Sequence, residues 1–369
     1  MRFIHLSDVG LGKNTESGKF WGRDRAVEIL NTLRKTVDKA ASTACELLII
    51  SGGLFSHQPV SSELEEINRL FLSIPAVEVI IVAGESDILK KNSPVNSFLW
   101  APNVHYVLSE GIERIEFKKF NAAIYSKSVS DRQEAEQPGF KSLLKEAFSE
   151  NQETICMIVS AESNYNEVYS VCSDTENEKY LKRISYAALG GIHKHQEISS
   201  SKVYYSGGLE PSGMQDTGEH GFYIGDISNA TGQLIKLEFV PIAETSYISL
   251  NIEVDENTTA TGLLEKLRNE MDNRGRKNIY RIHIFGKKNP DENFQPERLE
   301  NEYRIAEIMD ESEPQYDFSL LFQEHPQDMI GYYISKLIKN EGEISEIERK
   351  AMFYGIDALL KTSEQKGKE

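Results

Sequence analysis

The sequence predicts an α/β protein with a smaller second module and helices behind it. Three observations point there. Short continuous apolar runs alternate with segments of helical spacing; glycine-containing loops close most of the runs; and a new strand-helix-strand pattern begins after residue 243. A chain of 369 residues suggests about two to three domains. Its 39% hydrophobic content supplies enough material for cores and excludes wholesale disorder.

Arg2 to Leu6 is a short β-prone run ending in Ser7-Asp8. Asp24 to Ala41 carries Ala26, Val27, Ile29, Leu30, Leu33 and Val37 at helical spacing. Leu47 to Ile50, closed by Ser51-Gly52-Gly53, has the pattern of a strand buried on both faces. Ser61 to Ser73 is an amphipathic helix, with Glu63, Glu65 and Glu66 read as its solvated side, and Val77 to Val82 is a further buried strand. More strands are expected at 112–117, 121–125, 154–159, 187–189, 203–205, 222–224 and 234–240, with a polar loop at 131–138. The second module begins with a strand over 246–254, continues with a helix over 261–271 and a strand over 278–285, and passes into a charged, weakly periodic stretch over 291–313. Helices are expected over 317–340 and 344–360. The domain boundaries are therefore 1–243, 244–315 for the β-α-β module, 316–361 for the C-terminal helices, and 362–369 for a polar tail.

Charge narrows the function classes. Lys and Arg number 41 against 58 Asp and Glu, a net charge of −17. A whole-surface polyanion binder needs the opposite sign, so nucleic acid would have to meet a local patch. The run Arg274-Gly275-Arg276-Lys277 is the candidate patch, against the simpler reading of a solvated loop. Three cysteines, Cys45, Cys156 and Cys172, form no Cys-x-x-Cys and exclude a thiolate zinc site. The first residues lack the apolar core of a signal peptide, and no window is apolar enough for a membrane span. The expectation is a cytoplasmic chain with no membrane partner.

The chemistry should sit in loops at the carboxyl ends of the strands. Five stand out: 7–12 (Ser-Asp-Val-Gly-Leu-Gly), 51–56 (Ser-Gly-Gly-Leu-Phe-Ser), 83–87 (Ala-Gly-Glu-Ser-Asp), 159–162 (Val-Ser-Ala-Glu) and 189–196 (Leu-Gly-Gly-Ile-His-Lys-His-Gln). In order, and with the frames Phe3 to Asp8, Ile50 to Gly52, Tyr186 to Gly190, Tyr204 to Gly207, Gly218 to Gly221 and Tyr354 to Leu360, they resemble the calcineurin-like metallophosphoesterases, and more narrowly the SbcD-type DNA repair exonucleases. The resemblance spans nearly the whole chain. It implies a four-layer α/β/β/α sandwich with a capping β-α-β module, two divalent cations that activate water against a phosphodiester, and partners: an SbcC-type ATPase, DNA and a second copy of the chain.

The same resemblance implies that the ligands are largely gone. Asp8 is kept, but Gly10 stands where the first motif has His. Gly53 replaces the Asp that would bridge the two ions, and Ser56 the later Asp of that motif. Glu85 replaces Asn as a substitute ligand, Ser86 takes the position of the His that assists the leaving group, and Asp87 is retained. Ser160 stands for a lone His and Gly191 for the next, while His193 is kept. The first ion would use positions 8, 10, 53 and 193, and the second 53, 85, 160 and 191. Glycine offers no donor, so two-metal hydrolysis is expected to be absent, with Asp8 and His193 as vestiges. No cofactor is expected; the alternative is one weakly held manganese or magnesium ion on Asp8 and His193. Simpler roles are also open: His5 as a core histidine, His195 as an ordinary polar residue, and Asp8 as a turn acceptor.

Three functions follow. The first is an inactive scaffold or partner subunit in DNA processing, docking through a C-terminal stripe of Leu320, Leu321, Ile330, Tyr333, Ile334, Leu337 and Ile338 that could equally be internal core. The second is an active exonuclease or phosphodiesterase with a remodelled site, whose activity His at positions 10 and 191 and Asp at position 53 should raise. The third is a nucleotide- or phosphate-binding module.

Overall fold

A computed structural model describes residues 1–13, 18–109, 111–131, 139–150, 152–199, 202–338, 351 and 353–360. The loop reading over 132–138, the helix over 344–350 and the polar tail lie outside them. The chain divides into two units, Met1–Tyr247 and Ile248–Glu369.

In the first unit the predicted alternation produces β1 (Arg2–Leu6), α1 (Gly22–Ser42), β2 (Leu47–Ser51), α2 (Ser61–Leu72), β3 (Glu78–Val82) and β4 (Val104–Tyr106). They are followed by β5 (Glu113–Phe117), β6 (Ala122–Lys127), α3 (Phe140–Glu150), β7 (Ile155–Ala161), α4 (Tyr165–Ser173), α5 (Glu178–Leu181), β8 (Tyr186–Gly190), β9 (Gln196–Ile198), β10 (Val203–Tyr205), β11 (Gly221–Ile227) and β12 (Leu234–Pro241). Two six-stranded sheets result, ordered β12-β11-β1-β2-β3-β4 and β5-β6-β7-β8-β10-β9.

The two faces of each strand explain the layers. Ile4, Leu6, Leu48, Ile50, Val79 and Ile81 pack outward against Ile29, Leu33, Val37, Leu64, Ile67 and Phe71 of α1 and α2. Their neighbours Phe3, Leu47, Ile49, Ile80 and Val82 pack inward against Ile124, Ile155, Met157, Val159, Tyr186 and Ala188 of the second sheet. The second sheet's outer face is covered by Phe140, Leu143, Leu144, Ala147, Val168, Val171 and Leu181. This is the four-layer α/β/β/α sandwich that the resemblance implied. Burial on both faces is why the strands read as unbroken apolar runs.

The structure amends several elements. Helix α3 was not anticipated, although Phe140, Leu143, Leu144 and Ala147 repeat at helical spacing and are all buried. Helix α1 forms as predicted, but Val27 is exposed, and the buried stripe includes Arg25, Glu28, Thr32 and Thr36. Glu63 of α2 accepts the Val60 backbone N–H at 2.9 Å, tying the helix start rather than only facing solvent.

The second unit holds most of a three-stranded sheet, ordered β13 (Tyr247–Val254), β14 (Ile279–Lys288) and β15 (Arg304–Pro314), covered by α6 (Ala260–Arg274). Leu263, Leu267 and Met271 pack on Leu250, Ile252, Tyr280, Ile282 and Ile284. The stretch expected to be irregular at 304–314 is an eleven-residue strand, parallel to β14. It was missed because only Ile305 is fully buried, so no apolar alternation marks it. The helix expected over 317–340 breaks into α7 (Phe318–Glu324) and α8 (Met329–Ile338), since Pro326 cannot continue the first. Ile330 and Ile334 of the proposed docking stripe are core against Ile356, whereas Leu320 is exposed. The side chains of Leu337 and Ile338 lie outside the described residues.

Candidate functional site

The carboxyl ends of β1, β2, β3 and β8 bring four of the singled-out loops together. Asp8 N–H donates to the Gly52 carbonyl (2.9 Å), Gly10 N–H to Gly53 (2.9 Å), and Gly191 N–H to Asp8 Oδ2 (3.0 Å). Asp8, Gly10, Gly53, Ser56, Ser86 and His193 all line one cavity of about 80 Å³, with Lys13, Arg25, Glu210 and Ser212. That volume is well short of the roughly 300–1,000 Å³ of pockets for larger organic ligands.

Each predicted residue has a definite place. Asp8 takes a left-handed φ of 48° and also accepts from Ser7 Oγ at 2.9 Å. Burial pushes its carboxyl above the ordinary range, against the pull of the Gly191 amide and His193. His193 Nδ1 lies 3.0 Å from Asp216 Oδ2, and that hydrogen bond raises its pKa against desolvation. Burial works to raise Asp216 too, but His193 and the hydroxyl and amide of Ser212 outweigh it and hold the carboxyl low. Asp87 ties loops together: it accepts from the backbone N–H groups of Gly84 (2.7 Å), Phe55 (3.2 Å) and Gly53 (3.3 Å). Burial moves it up to about 6 despite those donors, with the charge of Asp8 adding to the rise.

The glycines at expected ligand positions are not simple deletions. Gly10, Gly53 and Gly191 have φ of 69°, 65° and 94°, which favour glycine. A Cβ on Gly53 would lie 2.7 Å from Asp8 Oδ1 and 2.9 Å from Asp8 Cα, so Asp8 already fills the space that a side chain at position 53 would need. A Cβ on Gly191 would approach the Ser163 backbone N to 3.2 Å. The expected repair (Gly10→His, Gly53→Asp and Gly191→His) therefore needs the backbone to move, not only new donors. Ser160 and Glu85 sit apart from the cavity: Ser160 is buried and donates to Glu162 Oε1 at 2.8 Å, and Glu85 accepts from Ser163.

The residues do not fit a pair of divalent ions. The bridging position has no donor, and Oδ2 of Asp8 and Nδ1 of His193 already have hydrogen-bond partners. Among the described residues no three His, Cys, Asp or Glu side chains converge to hold a metal. No chemical step is derived through one.

Other roles are plain. His5 is buried with both ring nitrogens occupied, by Tyr186 OH (2.9 Å) and Ser51 Oγ (2.8 Å), and burial lowers its pKa to about 3. His195 stacks on Phe239 at 3.8 Å between ring centres. In the second unit Arg274 pairs with Glu270 (3.1 Å) and Arg276 with Asp272 (2.8 Å), while Lys277 follows in the same turn. The cysteines are buried free thiols.

The sequence reading missed four groups. Lys13 and Asp216 line or border the cavity, the first just past the loop 7–12 and the second in the connection between β10 and β11. Buried Arg25 bonds Glu28 (2.7 Å) and Glu210 (3.2 Å), and Glu210 also accepts from Thr32 (2.6 Å). Lys127 and Glu162 form a buried ion pair at 2.9 Å. The only signal was charge at helix or strand positions for Arg25 and Lys127; Lys13 and Asp216, in loops, had none.

The architecture is that of a metallophosphoesterase α/β sandwich. A metallophosphoesterase of Bacillus subtilis (strain 168), the uncharacterized protein YhaO, is 23% identical over 287 residues, covering 72% of this chain. The match spans 66% of that protein's length, just under two thirds. The similarity supports a relationship to the metallophosphoesterases. No family model matches the chain. No helix among the described residues is long and apolar enough to cross a membrane.

Proposed function

We propose that this chain is an SbcD-like relative that no longer hydrolyses phosphodiesters and serves as a scaffold or partner subunit in DNA processing. One observation carries the loss of hydrolysis: Asp8 crowds the position where a bridging carboxylate would stand, and glycine occupies it. The DNA setting rests on the motif frames around the five loops, and an SbcC-type ATPase is the partner they imply. The vestigial ligands are Asp8 and His193, with Glu85 as a substitute held on Ser163 instead. The Arg274 to Lys277 turn is the DNA-contact candidate, weakened by its Glu270 and Asp272 pairs, which lower the local positive field. The working location is cytoplasmic.

The test is release of nucleotides from linear DNA, and turnover of bis-nitrophenyl phosphate, with purified protein in millimolar manganese. The expected result is no activity above buffer, together with co-elution of the chain and a purified SbcC-type ATPase. Manganese-stimulated cleavage abolished by Asp8→Asn would favour the remodelled single-ion site instead, a reading that draws on Asp8 and His193 sharing one cavity.

A further inference from the structure

Resting on the non-hydrolytic reading, we propose that two lysines of this chain, Lys13 and Lys127, supply the positive charge that the fold would otherwise take from its two cations. Lys13 lines the cavity with Asp8, Gly53 and His193, the surviving neighbourhood of the first ion. Its stem packs beside position 10, where a Cβ would be in ordinary contact with Lys13 Cδ at 3.7 Å. Burial works against its charge and lowers its pKa, and the charges of Asp216 and Asp8 offset part of that cost. Lys127 ends β6, directly opposite Ser160 of β7. It pairs with Glu162 at 2.9 Å, with side chains only 8% and 11% exposed, and Glu162 in turn accepts from Ser160. Position 191 is beside it, since a Cβ on Gly191 would lie 3.3 Å from the Glu162 carbonyl carbon. Two positions assigned to the second ion therefore border this ion pair. An ammonium neutralises carboxylates but is no Lewis acid and cannot ligate and acidify water, so it preserves the fold's charge balance without the metal's chemistry.

The test is manganese titration of the full chain, read by loss of the free-ion electron paramagnetic resonance signal and by melting temperature. Wild type should take up no manganese below about 1 mM and show no shift. Lys13→Met should bind manganese at least about tenfold more tightly than wild type, and Asp8→Asn added to it should abolish the gain. Lys13→Gln carries the same test if the methionine variant does not fold. Lys127→Met should lower the melting temperature by several degrees by stranding Glu162, and Lys127→Met with Glu162→Gln should restore most of it. A folded Lys13 variant that binds no better than wild type, or a Lys127→Met protein that melts with wild type, overturns the proposal. Metal-dependent hydrolysis by wild type would instead overturn the reading beneath it.

Discussion

The strands as far as Leu6, Ser51, Val82 and Gly190, and the loops that leave them, obey different rules. The strands bury apolar side chains on both faces and are held by two sheets' worth of ladder bonds. The loops also send Val9, Leu11, Leu54 and Phe55 into the outer core, but their path is set by Asp87, by left-handed glycines and by charge pairs. Most of the apolar burial resides in the first region and the cavity in the second, so cavity residues can change while the sandwich persists.

The comparison can be broken where the regions touch. Gly190 ends β8 against the first sheet, and a methyl there would run into the Ser51 carbonyl oxygen and lie 2.7 Å from Ser7 Cβ. Gly190→Ala should cost more than about 4 kcal/mol in urea unfolding, because Ser51 ends a packed strand and Ser7, just past β1, is fully buried. A loss below about 1 kcal/mol (roughly the median mutation) would mean that the sheets yield as loops do.

The two regions should also respond to acid with opposite signs. His5, in the strands, has a pKa of about 3 folded against an ordinary 6.5, so folding prefers it neutral. Its contribution is complete above pH 6.5 and is lost as pH falls towards 3, on the order of 5 kcal/mol. Asp87, in the loops, is raised from 3.8 to about 6, so folding prefers it protonated. Its contribution is complete below pH 3.8 and is lost as pH rises through 6, by roughly 2–3 kcal/mol. Melting curves of His5→Gln and Asp87→Asn against wild type between about pH 4 and 7 should each remove one slope. Parallel curves for all three proteins would refute the contrast. The smallest effect belongs to neither region: Glu270→Ala, which frees an exposed Arg274, should change stability by less than about 0.5 kcal/mol.

How much was legible follows the same division. The doubly buried strands β1, β2 and β3 were readable because a short apolar run closed by turn residues fits little besides a covered strand, and the loops at their ends were located by punctuation alone. The resemblance grouped positions 8, 10, 53 and 193 around one ion, and those residues line one cavity with Ser86, whereas Glu85, Ser160 and Gly191 of the second grouping do not line it. What could not be read was charge placed inside. Arg25 and Glu28 sit on a helix whose apolar residues suggested a different face, and Lys127 looks from its sequence like a solvated strand end. Pairing partners 35 and 185 residues away carry no local signature. Strand β15 was hidden for the converse reason: half-exposed and acidic, it is held by a parallel ladder to β14 rather than by an apolar stripe.

The position of β1 has a consequence for synthesis. It lies between β2 and β11, and Arg25 just beyond it waits for Glu210. At about 5–20 residues per second a ribosome needs roughly ten to forty seconds to deliver those later segments. Throughout that interval the nascent chain presents an open strand edge and a guanidinium paired only with Glu28, a window in which chaperones have the first claim on it.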